Sequence, residues 1–410
     1  MKVALYYPWL YLTSGAERTI LEITGNGRHE WTIFTNRFEP ENTFPGFRDR
    51  DVRTLEQISV KRTVSAAGRG ALKILRQRLP LESFGALVVV CEGFGDLVLF
   101  RNHSLPTICI CLTPLRLAFD HVYRERCLAA HSRLKGMLIR FGSALFRVVD
   151  RMAWRHYARM FCISHEAKRR AVAGGLAPDA AIDVVHPGLG FVPDAPSGEF
   201  EKFFLLPGRI MWAKNIELGI EAFRLFKKKN AEFRDFRLII AGIVDRKSEA
   251  YLQKLRSMAR AEGLAIEFRI HPSDQELAEL YRKCYATLFT AFNEDWGMVP
   301  LESMAFGKPS ICVNRGGPKE SVIDNNDGFL VEPEQQAFAQ KMSLLAKDPE
   351  RCRKMGLAGH QNARRFSWPN FKKHIDDAID TIASVAFLSG SSVDPGSSSA
   401  NVTRSLKEAR

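Results

Sequence analysis

Apolar positions along this chain follow two alternating patterns. Short runs rich in β-branched and aromatic residues recur at Lys2–Tyr7, Trp31–Thr35, Leu87–Cys91, Thr107–Leu112, Met160–Ser164 and Ile182–His186. Each is bounded by polar or turn residues, as a strand buried on both faces would be. Between them lie helical stretches, such as the one carrying Ile20, Leu21 and Ile23 after the turn Thr13-Ser14-Gly15-Ala16-Glu17, and His165 to Ala173. The pattern then repeats with strands expected at Phe203–Leu206, Arg237–Gly242, Ile266–Ile270, Ala286–Phe289, Ser310–Val313 and Gly328–Val331. Helices are expected over Ser248–Glu262, from about Gln275 behind a Ser273 or Asp274 cap, and from Pro300 to Phe306. Strands alternating with helices predict an α/β protein with parallel, doubly wound sheets. Pro193, Pro196, Ser197 and Gly198 mark a linker between two such units, over 1–192 and 199–366. A helix over 367–387 follows, with Pro369 in its first turn. The Ser- and Gly-rich stretch 388–410 is expected to be a disordered tail.

Composition adds bounds. At 410 residues and 46% apolar content the chain can bury sizeable cores in two or three domains. Its eight cysteines form no Cys-x-x-Cys pair, and Cys109 and Cys111 alternate with Ile108 and Ile110 as strand residues do. A reduced, cytoplasmic compartment and no metal site are therefore expected. The apolar N-terminus reads as a first strand rather than a signal peptide, and no run of about 18 apolar residues predicts a membrane span. A net charge of +13 points to a polyanionic partner or simply to a basic soluble enzyme. Nucleic acid is not expected, because no stacking-aromatic or zinc motif accompanies the charge.

The charge is uneven. Lys61, Arg62, Arg69, Lys73, Arg76 and Arg78 fall between Gln57 and Leu81 with no acid among them. On a helix expected from Arg140 to Met160, Arg147, Arg151, Arg155 and Arg159 recur every four residues and would form one slowly turning stripe. Such a stripe is either a solvated face or a contact with an anionic membrane.

Candidate chemistry concentrates at Asn293 to Pro309, read as strand, loop and short helix. The amides of Gly297, Met298 and Val299 would sit at a helix N-terminus, where unpaired N–H groups favour an anion such as a diphosphate. Glu294 in the loop and Glu302 in the first helical turn, with seven residues between them, bracket that site. One could face a reacting centre while the other accepts from a diol. The plainer alternative is a solvated loop residue and a helix-dipole partner. Asp49-Arg50-Asp51, in an expected loop without a preceding apolar strand, reads as chance rather than a metal motif.

Glu-x7-Glu with Trp-Gly, Pro-Leu-Glu and Gly-Lys-Pro resembles the signature of retaining glycosyltransferases of group 1, the glycogen-synthase-like and mannosyltransferase-like family. Gly208-Arg209 with Lys214, Gly316-Gly317-Pro318-Lys319-Glu320, and Ser14-Gly15-Ala16-Glu17 resemble further segments of it. The resemblance implies the GT-B fold, two Rossmann-like domains facing a central cleft, with the last helix crossing back to the first domain. It implies transfer of a hexose from a nucleotide-diphosphate sugar to a glycan or lipid-linked acceptor, with the anomeric configuration retained and no cofactor. By the same resemblance, Arg209 and Lys214 clamp the diphosphate in place of a metal, Glu294 acts at the sugar, and Glu302 holds the ribose. Trp296, Gly297, Met298, Val299, Gly15 and His271 complete the donor site. Thr113 and Arg116 are candidates for the acceptor wall of the cleft. Leu112 stands where relatives commonly carry His, and Ser14 where they carry Gly. Glu320 stays outside the catalytic set. The rivals are a nucleotide-sugar epimerase of the same fold and a catalytically silent glycan-binding relative.

Overall fold

The computed structural model describes residues 1–25, 27–59, 63–129, 132–261 and 263–390. Lys61, Arg62 and the tail from 391 lie outside these. The chain divides into two compact units, Met1–Pro187 with the chain from Trp368 onward, and Gly188–Ser367.

The first unit is built on a parallel sheet of β1 (Lys2–Tyr6), β2 (Glu30–Thr35), β3 (Asp51–Thr54), β4 (Ala86–Glu92), β5 (Thr107–Thr113), β6 (Arg159–Cys162) and β7 (Ile182–Val184), in the order β3-β2-β1-β4-β5-β6-β7. Its helices are α1 (Gly15–Ile23), α2 (Val64–Arg76), α3 (Arg116–Phe119), α4 (His121–Ala129), α5 (Arg133–Trp154) and α6 (His165–Ala173). The central strands β1 and β4 are almost wholly buried, which is why their sequences are continuous apolar runs.

Two expectations fail here. Asp49-Arg50-Asp51 does not lie in a loop throughout, because Asp51 opens the edge strand β3 and accepts from Thr32 at 2.7 Å. A polar edge strand carries no apolar run by which to find it. The helix expected over Arg140–Met160 instead spans Arg133–Trp154. Arg155 caps it, and Arg159 opens β6 and pairs with Asp183 at 3.1 Å. The four-arginine stripe is therefore broken, since pairing of β6 with β5 requires the chain to leave the helix. The inner face of α5 is fixed by Ser143, Phe146, Asp150, Ala153 and Trp154. Burial pushes the carboxyls of Asp150 and neighbouring Asp96 well above the carboxylate range. Asp96 also accepts from the Cys91 thiol at 2.8 Å and from the Tyr157 hydroxyl.

The second unit repeats the plan with β8 (Phe203–Pro207), β9 (Arg237–Gly242), β10 (Ile266–Ile270), β11 (Ala286–Phe289), β12 (Ser310–Val313) and β13 (Gly328–Val331), all parallel, in the order β10-β9-β8-β11-β12-β13. Its helices are α7 (Ile216–Lys229), α8 (Glu249–Ala261), α9 (Asp274–Lys283), α10 (Met298–Ala305), α11 (Pro318–Ser321), α12 (Gln335–Lys347) and α13 (Pro349–Ala363). The Ser273 cap of α9 is a full capping box with Glu276. Phe204 stacks on Phe236 at 5.3 Å, while Phe226 and Tyr285 pack edge to face against them, with ring centroids 5.4 Å apart for Phe204–Phe226 and 5.1 Å for Phe236–Tyr285.

The last helix, α14 (Trp368–Gly390), belongs to the first unit and runs past the end expected at 387. It packs on α1, where Lys372 donates to the Ile23 carbonyl at 2.9 Å. Arg28 adds an ion pair to Asp380 at 2.9 Å.

Candidate functional site

In the second unit the strand order reverses between β8 and β11, and the loops leaving their C-terminal ends lie side by side. Open α/β sheets bind ligands in the crevice at such a reversal. Two hydrogen bonds join the two loops: Thr290 donates its hydroxyl to the Lys214 carbonyl at 2.8 Å, and the Phe292 amide donates to the Ala213 carbonyl at 2.9 Å.

The loop after β8 starts at Gly208, where φ of +128° excludes an ordinary side chain. The neighbouring Gly242 is equally constrained, since a Cβ there would meet the Gly208 carbonyl oxygen at 1.8 Å. Arg209 follows, partly exposed, and its guanidinium has no hydrogen-bond or ion-pair partner among the described residues. A single turn over Trp212–Lys214 and a left-handed Asn215 then lead into α7.

The loop after β11 carries Glu294, whose carboxylate accepts from Lys214 Nζ at 2.8 Å with both side chains partly exposed. Its carbonyl accepts from the Gly317 amide at 2.9 Å. Gly316 and Gly317 are held against this loop so closely that a Cβ would lie 2.2 Å from the Glu294 carbonyl oxygen or 1.9 Å from that of Trp296. Trp296 itself is buried, its ring edge-on to Phe366 at 5.3 Å, so the side chain anchors the loop in the unit's core. Gly297, at φ +89° over the Phe289 ring, is the N-cap of α10 without a capping side chain. The helix starts at Met298, two residues before Pro300, because Pro300 needs no amide partner in the first turn. Its end is a Schellman motif, with Lys308 N–H donating to the Ser303 carbonyl and Gly307 N–H to that of Met304, both at 2.9 Å.

This shift moves Glu302 from the first helical turn to the second. There its Oε2 accepts from the buried Tyr281 hydroxyl at 2.5 Å, while Oε1 has no partner among the described residues. Desolvation raises the carboxyl above its ordinary value, opposed by the Tyr281 hydroxyl and by the Lys214 charge. Lys214, Glu294 and Glu302 thus form one electrostatic group. His271 ends β10 in a left-handed conformation, φ +54°, with an exposed side chain and its amide bonded to the Gly242 carbonyl.

Sequence comparison converges on the same segment. Residues 193–362 match the family described as glycosyl transferases group 1. That match spans nearly all of the second unit. Relatives include alpha-1,3/1,6-mannosyltransferase ALG2 of Homo sapiens, 31% identical over 213 residues, covering 47% of this chain and 51% of the relative. The Dictyostelium discoideum ALG2 is 30% identical over 191 residues, with 44% and 46% covered. The chain spans about half the length of these relatives. Among solved structures, sucrose-phosphate synthase from Thermosynechococcus elongatus aligns with a TM-score of 0.73 at 15% identity, over 93% of this chain and 99% of that one. Anabaena Alr3699/HepE in complex with UDP aligns at 0.66 and 16%, over 93% and 100%. The fold is GT-B.

The remaining candidates lie outside the matched segment, in the first unit. Ser14 caps α1, and a Cβ on Gly15 would meet nothing within 4 Å. Thr113 accepts from Arg170 at 2.9 Å, and Arg116 bonds Asp120 at 2.9 and 3.2 Å while lying over the Tyr123 ring. Both side chains are thus engaged within their own unit, and Leu112 is buried.

Sequence reasoning missed Tyr281 and Thr290. Tyr281 follows Leu277 and Leu280 in the apolar stripe of α9 and reads as core, which its ring is, stacked on Phe306. Only the tertiary packing brings its hydroxyl to Glu302.

Proposed function

We propose that this chain moves a hexose, mannose-like or glucose-like, from a nucleotide-diphosphate sugar to an acceptor hydroxyl of a glycan or glycolipid, with retention at the anomeric carbon. The observation that carries this is the convergence, at one strand reversal, of unpartnered Arg209, Lys214, the uncapped N-terminus of α10 and two carboxylates. A leaving nucleoside diphosphate gains charge in the transition state, and donors fixed in advance stabilise it most. Arg209 offers a planar fork, Lys214 a point charge, and the amides of Met298 and Val299 the positive end of a helix dipole. Together they supply the positive charge without a metal. Glu302 Oε1 is free to accept from a ribose hydroxyl. Glu294, held by Lys214, is assigned to the sugar end, where arrival of the phosphates would loosen its ion pair.

The human and Dictyostelium relatives are named mannosyltransferases, which favours mannose. The Anabaena neighbour was also solved with UDP-glucose, which supports a diphosphate-linked donor. The reaction is assigned to the cytoplasm.

The test is a thermal-shift panel of nucleotide sugars, followed by determination of the product's anomeric configuration in the presence of a chelator. A matching donor at 100 times its Kd should stabilise by about 2.7 kcal/mol. An inverted product, loss of turnover on chelation with rescue by Mg²⁺ or Mn²⁺, or epimerisation of the donor without any acceptor would each overturn part of the reading.

A further inference from the structure

Helix α5 has two apolar faces, and the protein covers one of them. Ser143, Phe146, Asp150, Ala153 and Trp154 turn inward. On the opposite side Leu134, Met137, Leu138, Phe141, Leu145, Val148 and Met152 are all exposed, with Phe141 at 72%, Leu134 at 71% and Met137 at 68%. At 3.6 residues per turn these seven side chains share an arc of roughly 100°, and the row from Leu134 to Met152 is about 27 Å long. Scattered exposed apolar residues need no explanation, whereas a continuous row along one helix does.

The spacing alone admits two occupants. Steps of four and three residues from Leu134 through Leu138, Phe141, Leu145 and Val148 to Met152 would suit a coiled-coil partner. The charges decide between them. Arg133, Arg140, Arg147 and Arg151 run along one flank of the apolar row and Lys135 lies on the other, while the only acid in α5, Asp150, is buried on the inner face. A second copy would set cation against cation. Arg140 pairs with Glu125 of α4 at 3.1 Å and Arg151 donates to the Gly174 carbonyl at 2.8 Å, yet the flank keeps a positive excess that an anionic lipid surface complements, and arginine stems can lie on the acyl boundary while their heads reach phosphates.

We propose that the outer face of α5 seats in the headgroup layer of an anionic membrane, with the row from Leu134 to Met152 inserted and the flanking arginines on lipid phosphates. The sequence pointed to a membrane through a stripe at Arg147, Arg151, Arg155 and Arg159. The structure breaks that stripe and moves the contact to an apolar row instead. No helix among the described residues is long and apolar enough to cross a bilayer, so the contact is interfacial.

The test uses the full chain without donor, so its outcome is independent of the transferase reading. Flotation is measured with vesicles of phosphatidylcholine alone and of equal phosphatidylcholine and phosphatidylglycerol. Wild type should float with the anionic vesicles, and Leu138→Gln/Phe141→Gln/Leu145→Gln should lower partitioning about tenfold at unchanged Tm. Phe141→Trp should show a blue-shifted emission on adding those vesicles. Arg133→Gln/Arg140→Gln/Arg147→Gln should weaken binding and flatten its salt dependence. Absence of flotation, undiminished flotation of the apolar triple variant, or a wild-type dimer that this variant dissolves would each overturn the proposal.

Discussion

The two units share one topology and differ in what they leave unsatisfied at the strand reversal. In the first, around β1 and β4, the Trp9 indole N–H is left without a partner among the described residues but the carboxylates are used internally: Tyr7 donates to Glu92 at 2.9 Å, and Glu17 accepts from Ser14 and from the Leu12 amide. Arg116 and Thr113, at the end of β5, are held by Asp120 and Arg170. In the second, around β8 and β11, Arg209 has no partner among the described residues, Glu302 keeps an open oxygen, and the N-terminus of α10 has no capping side chain. Charged groups left without a partner inside the chain at one place are the set to which the proposed donor is assigned. The same fold thus supplies one reversal closed by its own bonds and one held open.

The largest effect should come from emptying the open reversal. Arg209→Ala/Lys214→Ala is expected to lower turnover by about 10² to 10³, the scale seen when preorganised charge donors are removed. Steady-state rates with a matched donor check this, and near-normal turnover would erase the contrast between the units. Losing Lys214 also leaves Glu294 without its cation, so the double variant should fall short of the sum of the singles.

Glycine positions give a second contrast. Gly317→Ala drives a Cβ to 1.9 Å from the Trp296 carbonyl oxygen and should cost roughly 2 kcal/mol. Gly15→Ala meets open space in the first turn of α1 and should stabilise by about 0.5 kcal/mol. Denaturant unfolding measures both. If Gly15→Ala stabilises as expected yet lowers turnover, the first reversal also admits a ligand against its backbone.

A third contrast concerns Glu302. Tyr281→Phe removes one hydrogen bond and should weaken binding of the nucleoside diphosphate by about 1 kcal/mol. Because burial raises the Glu302 carboxyl, it takes up a proton at higher pH than an ordinary glutamate as the solution is acidified. Nucleotide affinity should therefore begin to fall on the acid side earlier than for an exposed carboxylate, and Glu302→Gln should remove that pH dependence. Calorimetry across the acid range decides it, and an unchanged profile in the variant would assign the titration elsewhere.

Much of this was legible before folding. The strands at Arg237–Gly242, Ala286–Phe289, Ser310–Val313 and Gly328–Val331 match those of the structure because buried strands are short apolar runs, and edge strand Ile266–Ile270 matches through its alternation of apolar and charged residues. A cap at Ser273 or Asp274 was readable too, since local backbone demands leave their mark in residue type, and the structure selects Ser273. The polar edge strand β3 left no such mark. Neither did the end of α5, which is set by where β6 must pair.

By itself the sequence determined the apolar strands and which charged residues follow β8 and β11, all properties of short range. Tertiary structure alone decided the rest. It joined Lys214 to Glu294 across 80 positions of chain, set Tyr281 against Glu302, spent Thr113 and Arg116 inside their own unit, and left one apolar row of α5 uncovered. The reason is physical: residue type fixes what a group needs, whereas the packing of distant elements fixes whether that need is met from within the chain or left open to solvent and ligand.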